Sequence, residues 1–134
     1  MKEKLRNNGS VMLIAIFAIA LLSTLVCGML QMNTEEIQLM QNQIYASVAR
    51  TIAEAGLNDA YYELRSDSSW TDGFSSKSFN GGSYTVAVAG TLPSLTITST
   101  GTSSRGFASK VEADVTVGGS SPYIIRVDEL RVNE

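Results

Sequence analysis

Histidine, the side chain most used for proton transfer and metal binding at neutral pH, is missing from all 134 residues. Cysteine occurs once, as Cys27. These two facts exclude Ser-His-Asp and Cys-His nucleophiles, imidazole ligands, cysteine zinc sites and an intrachain disulfide. The nearest approach to a carboxylate pair is Asp67 with Asp72, in the stretch SDSSWTDGFSSKSFNGG from Ser66 to Gly82. Asp67 and Asp72-Gly73 faintly suggest a calcium loop, but the spacing does not fit an EF-hand, and a solvated turn is the default reading. The net charge of -3 supplies no basic field for nucleic acid. The expectation is a non-enzymatic chain with no catalytic residue, no metal and no cofactor.

The elements that would carry any other function are unevenly distributed. No charged side chain occurs from Asn7 to Thr34, and Val11 to Leu30 (VMLIAIFAIALLSTLVCGML) is nearly all apolar. Twenty helical residues span roughly 30 Å, the thickness of a bilayer's hydrocarbon core. Lys2, Lys4 and Arg6 precede the run, and Glu35 and Glu36 are the first charges after it. The positive-inside rule puts the N-terminus in the cytoplasm. Three fates compete for the segment. Ala18-Ile19-Ala20 imitates a signal-peptide cleavage site, but the apolar run continues for ten residues beyond it. A lipoprotein signal would use Cys27, but Val26 stands where a small residue belongs. A retained membrane helix, about residues 11–32, fits best.

Good helix formers continue from Met32 to Arg65, and no proline intervenes. Two apolar stripes run along this stretch. One is Ile37, Met40, Ile44, Val48, Ile52 and Ala55; the other is Ala46, Ala49, Ala53, Leu57, Ala60 and Leu64. They lie on nearly opposite sides of a helix, which implies two partners. One partner is the chain's own globular domain. The Ala-rich stripe, able to approach another backbone closely, suits an external partner, the alternative being that its alanines merely support helicity.

Residues 66–82 read as a polar loop pinned by Trp70, Phe74 and Phe79. Beyond Gly82 the apolar period falls to two. Tyr84, Val86 and Val88 alternate with small or polar residues, as do Leu95 and Ile97. Phe107, Val111, Ala113, Val115 and Val117 share a third face, and Tyr123 to Val132 is a fourth candidate strand blurred at Asp128-Glu129. Separators fall at Gly90 to Pro93, Gly101 to Gly106 and Gly118 to Pro122. The predicted fold is α+β: a long N-terminal helix over 10–65, half in the membrane, packed on a four-stranded antiparallel sheet within a small globular β domain, 66–134.

These residues resemble the type IV pilin-like proteins with class III signals. The short basic leader ends in Gly9, and Ser10 and the apolar run follow with no polar spacer. More narrowly, NNGSVMLIAIFAIALLSTLVCGMLQM with ARTIAEAGLNDAYYELR resembles PilX-type minor pilins. The resemblance implies a leader over residues 1–9, cleaved after Gly9 by a prepilin peptidase, and N-methylation of Ser10. It implies that the apolar segment anchors the chain in the inner membrane and then enters the core of a filament. The implied partners are other pilin or pseudopilin subunits, the prepilin peptidase, the pilus assembly platform and, before assembly, membrane lipid. Cleavage would remove Lys2, Lys4, Arg6 and Glu3 and move the side-chain charge from -3 to -5.

Two departures matter. Most pilins carry a Glu a few residues into the mature helix, where this chain has Ile14. In the family that Glu is thought to neutralise the N-terminal amine of a neighbouring subunit. A chain without it suits a rare subunit better than a repeating one. The cysteine pair that brackets a C-terminal loop in many pilins is also missing. The leading expectation is a minor pilin or pseudopilin that initiates or caps a type IV pilus or related filament. The alternative is a signal-anchored extracytoplasmic binding domain that the peptidase does not process.

Overall fold

The computed structural model describes the backbone of residues 2–133 and the side chains of residues 9–133. It contains one helix, α1 (Lys2–Ser66), then β1 (Phe74–Phe79), β2 (Gly82–Thr91), β3 (Ser94–Thr102), β4 (Ala108–Val117) and β5 (Ile125–Asn133). The class is α+β, with the helix packed on an antiparallel sheet. The sheet has five strands in the order β1-β2-β3-β4-β5, where four were expected.

The additional strand is β1, inside the serine-rich stretch read as a loop. Asn80-Gly81 turns β1 into β2 with φ of 46° and 78°. Two successive positive φ values suit the right-handed twist of a hairpin. The period-2 signal is lost in β1 because Ser76, at φ 46°, sits in a bulge between Phe74 and Lys77. A second bulge explains the blurred pattern of β5. Glu129 pairs with Asp114 and Val127 with Val115, so Asp128 is the extra residue. Gly101, read as a separator, lies inside β3 opposite Tyr84.

The chain forms two compact units, one ending at Gln41 and the other beginning at Asn42. In the second unit, α1 lies over one face of the sheet. Ile52, Leu64, Ile97, Val111 and Val115 are its largest fully buried apolar side chains. Each contributes about 1.5–3 kcal/mol relative to exposure. The helix sits very close to β3. A Cβ on Gly101 would strike the carbonyl oxygen of Ala49 and the backbone nitrogen of Ala53. A Cβ on Gly56 would lie 2.5 Å from Ser99 Oγ and 2.7 Å from the Tyr84 ring. Only small residues on both surfaces permit this approach.

That closeness corrects the assignment of the stripes. Ala49, Ala53, Leu57, Ala60 and Leu64, with Ile52 from the other stripe, are buried against the chain's own sheet. The Ala-rich face is therefore the intramolecular one. Ile37, Met40 and Ile44 are 50%, 62% and 56% exposed. Val48, Ala46 and Ala55 are half-buried.

Candidate functional site

The surface with the strongest chemical character in the first unit is the helix from Gly9 to Met32. Its large apolar side chains, from Val11 to Met32, are all exposed. Ile14 is 64% exposed, Ser10 and Cys27 are exposed, and nothing lies within 4 Å of a Cβ built on Gly9. Three hydroxyls in and just beyond this segment are satisfied by the helix's own backbone. Ser23 Oγ donates to the Ile19 carbonyl at 2.8 Å, Thr24 Oγ1 to Leu21 at 2.8 Å, and Thr34 Oγ1 to Leu30 at 2.9 Å. In hydrocarbon such a bond removes the cost of an unpaired donor. The helix is long and apolar enough to cross a membrane. Lys2, Lys4 and Arg6, expected to belong to a leader, lie outside the residues whose side chains are described.

In the second unit the helix is tied to the sheet by polar and aromatic contacts at its margins. Lys77 Nζ lies 2.6 Å from Asp59 Oδ2 and 4.6 Å from the centre of the Phe74 ring. The Tyr84 hydroxyl donates to the same Asp59 oxygen. The hydrogen bonds from Lys77 and then Tyr84 hold the Asp59 carboxyl below its usual range. Its hydrogen bond to Asp59 raises the Lys77 ammonium pKa. The arrangement fastens β1 to α1. Trp70 packs on Phe74 at 5.1 Å, and Phe74 meets the Tyr84 ring edge-on at 6.0 Å. Near the other end of the unit, Tyr45 stacks on Phe107 at 6.1 Å with Arg105 over it.

The solvent face of β4 and β5 carries an ion lattice. Arg131 Nη2 reaches Glu112 at 2.9 Å and Asp114 at 2.6 Å, and Arg126 Nε reaches Asp128 at 2.7 Å. These exposed pairs are worth little singly. Asp67 Oδ1 accepts from Ser69 N at 2.9 Å and Ser69 Oγ at 2.6 Å, a local turn that occupies the carboxylate. Among the described residues no three His, Cys, Asp or Glu side chains converge as a metal site.

The sequence pattern gives no role to Asp59 or Lys77, marks Tyr84 only as an apolar strand position and takes Gly101 for a separator. Asn80-Gly81 was the available signal, because a hairpin there brings Lys77 opposite Tyr84. The structure thus brings Ala49, Ile52, Ala53, Leu57, Ala60 and Leu64 together on the sheet. It leaves Ile37 and Ile44 uncovered, and places Gly9, Ser10 and Ile14 on an open apolar helix. No protein-family model, curated protein or solved structure matches the chain.

Proposed function

We propose that the chain is a minor pilin or pseudopilin, a non-enzymatic subunit that initiates or caps a type IV pilus or related filament. The observation that carries this reading is the open apolar surface from Val11 to Met32, which begins one residue after Gly9-Ser10. A helix apolar on every side needs lipid or other apolar helices as its solvent. It can exchange one for the other at small cost, because neither requires it to shed a charge. Removal of residues 1–9 supports the exchange, since Lys2, Lys4 and Arg6 would resist passage through the bilayer. Ile14 in place of the family's Glu leaves no carboxylate for a neighbour's amine, which favours a starting or terminal position. The sheet domain would form part of the outer shell.

Intact mass of the protein from native membranes, with and without an active prepilin peptidase, tests this. The expected chain starts at Ser10, carries one extra methyl group and depends on the peptidase. A chain that keeps residues 1–9 in both strains overturns the reading in favour of a signal-anchored binding domain.

A further inference from the structure

The two most exposed large apolar side chains of the second unit, Ile124 at 77% and Tyr62 at 71%, line adjoining clefts. The clefts lie where the C-terminal end of α1 meets the loop that joins β4 to β5. One, of about 590 Å³, is lined by Asn58, Tyr61, Tyr62, Arg65, Ser66 and Pro122. The other, of about 250 Å³, is lined by Tyr61, Arg65, Ile124, Ile125 and Val127. Tyr61 and Arg65 line both. Asn58, Tyr61, Tyr62 and Arg65 share one helix face by their spacing. Tyr61 also packs against the core, which holds its ring in place.

Arg65 has no acidic partner among the described residues. A cation in the last turn of a helix commonly serves the terminal carbonyls. Here other groups do so. The Asp67 N–H donates to the Glu63 carbonyl at 2.8 Å, and the Tyr123 N–H to the Arg65 carbonyl at 3.4 Å. Ser66 Oγ donates to the Tyr62 carbonyl at 3.2 Å. These carbonyls therefore do not occupy the guanidinium.

Each part of the site selects a chemical group. A free guanidinium favours a carboxylate, which it holds by two parallel hydrogen bonds. The Tyr62 ring offers a flat apolar face with a polar tip, which suits the C–H face of a sugar ring. The Asn58 amide, and Ser66 Oγ as an acceptor, suit sugar hydroxyls. Ile124 and Val127, in the other cleft, suit a small apolar substituent. A simple anion would use the guanidinium and leave the rest without a role. We propose that the paired clefts bind an N-acetylated acidic sugar, its carboxylate on Arg65, its ring against Tyr62 and its acetyl methyl against Ile124 and Val127. The site does not depend on the filament reading, because all its residues belong to the second unit.

The test is titration of the full detergent-solubilised chain with N-acetylneuraminate and N-acetylmuramate, read by saturation-transfer NMR. Saturation should pass most strongly to the acetyl methyl. Glucuronate, which lacks the acetyl group, and N-acetylglucosamine, which lacks the carboxylate, should each bind about tenfold more weakly. Arg65→Gln should lower affinity about tenfold and Arg65→Lys about threefold. Tyr62→Ala and Ile124→Ser should each lower it about threefold. All three positions are exposed, so the unfolding midpoint read through Trp70 should not move. A stronger response to N-acetylneuraminate identifies a cell-surface glycan as the source, and to N-acetylmuramate a wall polymer; both support the site. N-acetylglucosamine binding as tightly as the acidic sugars overturns it, as does Arg65→Gln binding like the wild type. No saturation of either acidic sugar at about 10 mM also overturns it. A glutamate-rich peptide that binds more tightly than the sugars, and is lost in Arg65→Gln, would make this a peptide site and overturn the sugar assignment.

Discussion

The helix before Gln41 and the helix after Asn42 share a secondary structure and differ in what their side chains need. Before Gln41 the large apolar side chains point outward on every side. After Asn42 one face is reduced to Ala49, Ala53, Gly56 and Ala60 and pressed against β3. Large, evenly distributed apolar residues commit a helix to an apolar environment without specifying a neighbour. Small residues facing small residues commit it to one neighbour at one distance, because any added atom collides. The first surface is suited to changing partners and the second to keeping one.

The largest test of that contrast is a pair of glycine substitutions. Gly101→Val places a Cβ against the backbone of Ala49 and Ala53, which cannot yield as a flexible side chain would. We expect a loss of about 4 kcal/mol or failure to fold, read by urea unfolding of the detergent-solubilised chain through Trp70 fluorescence. Gly28→Val, with nothing within 4 Å of the added carbon, should leave that unfolding curve unchanged. If both behave alike, the close approach is not what fastens the second half.

A leucine pair asks the same question through cavity formation. Leu64 is fully buried and Leu22 is 63% exposed. Leu64→Ala should destabilise the sheet domain by about 3 kcal/mol, whereas Leu22→Ala should stay within about 0.5 kcal/mol. The reverse contrast comes from Ile19→Lys, in the middle of the apolar run. A lysine at the centre of a membrane helix costs about 2.5–3.5 kcal/mol of insertion. The variant should shift from the membrane fraction to the soluble fraction while the domain's unfolding midpoint stays put. Retention in the membrane would count against a spanning role.

Most of this contrast was legible in the sequence, and the part that was not has a physical cause. Val11 to Leu30 announces itself by length and lack of charge, and the strands β2, β3 and β4 by strict alternation. Which helical stripe faces the sheet was misjudged, because apolarity ranks Ile37, Met40 and Ile44 above alanines. The deciding quantity was the distance between backbones, set jointly by Ala49, Ala53 and Gly101 across some 50 residues of sequence. β1 was hidden for another reason. Four of its six residues, Ser75, Ser76, Lys77 and Ser78, are polar and its bulge erases the period. Only the Asn80-Gly81 turn betrays it.

The smallest expected effect concerns how β1 is held to the helix. Asp59 sits below its usual pKa because Lys77 and Tyr84 donate to it. A carboxyl depressed in the folded state stabilises the fold above its unfolded pKa, and that contribution is lost as pH falls through the folded value. Lys77 is raised, chiefly by its bond to Asp59, and Tyr84 is raised, chiefly by burial. Their contributions are complete below the unfolded pKa values and disappear as pH rises through the folded ones. Stability from this cluster is thus a plateau from about pH 5 to about pH 9. Asp67 and Asp128 are also depressed, so the acid limb of the wild-type curve alone does not identify Asp59. The difference between wild type and Asp59→Asn does. That gap should be positive and constant across the plateau, and close as pH falls from about 5 towards 2. A gap unchanged at low pH would mean that the Asp59 carboxylate contributes nothing, leaving the aromatic contacts among Trp70, Phe74 and Tyr84 to hold β1 in place.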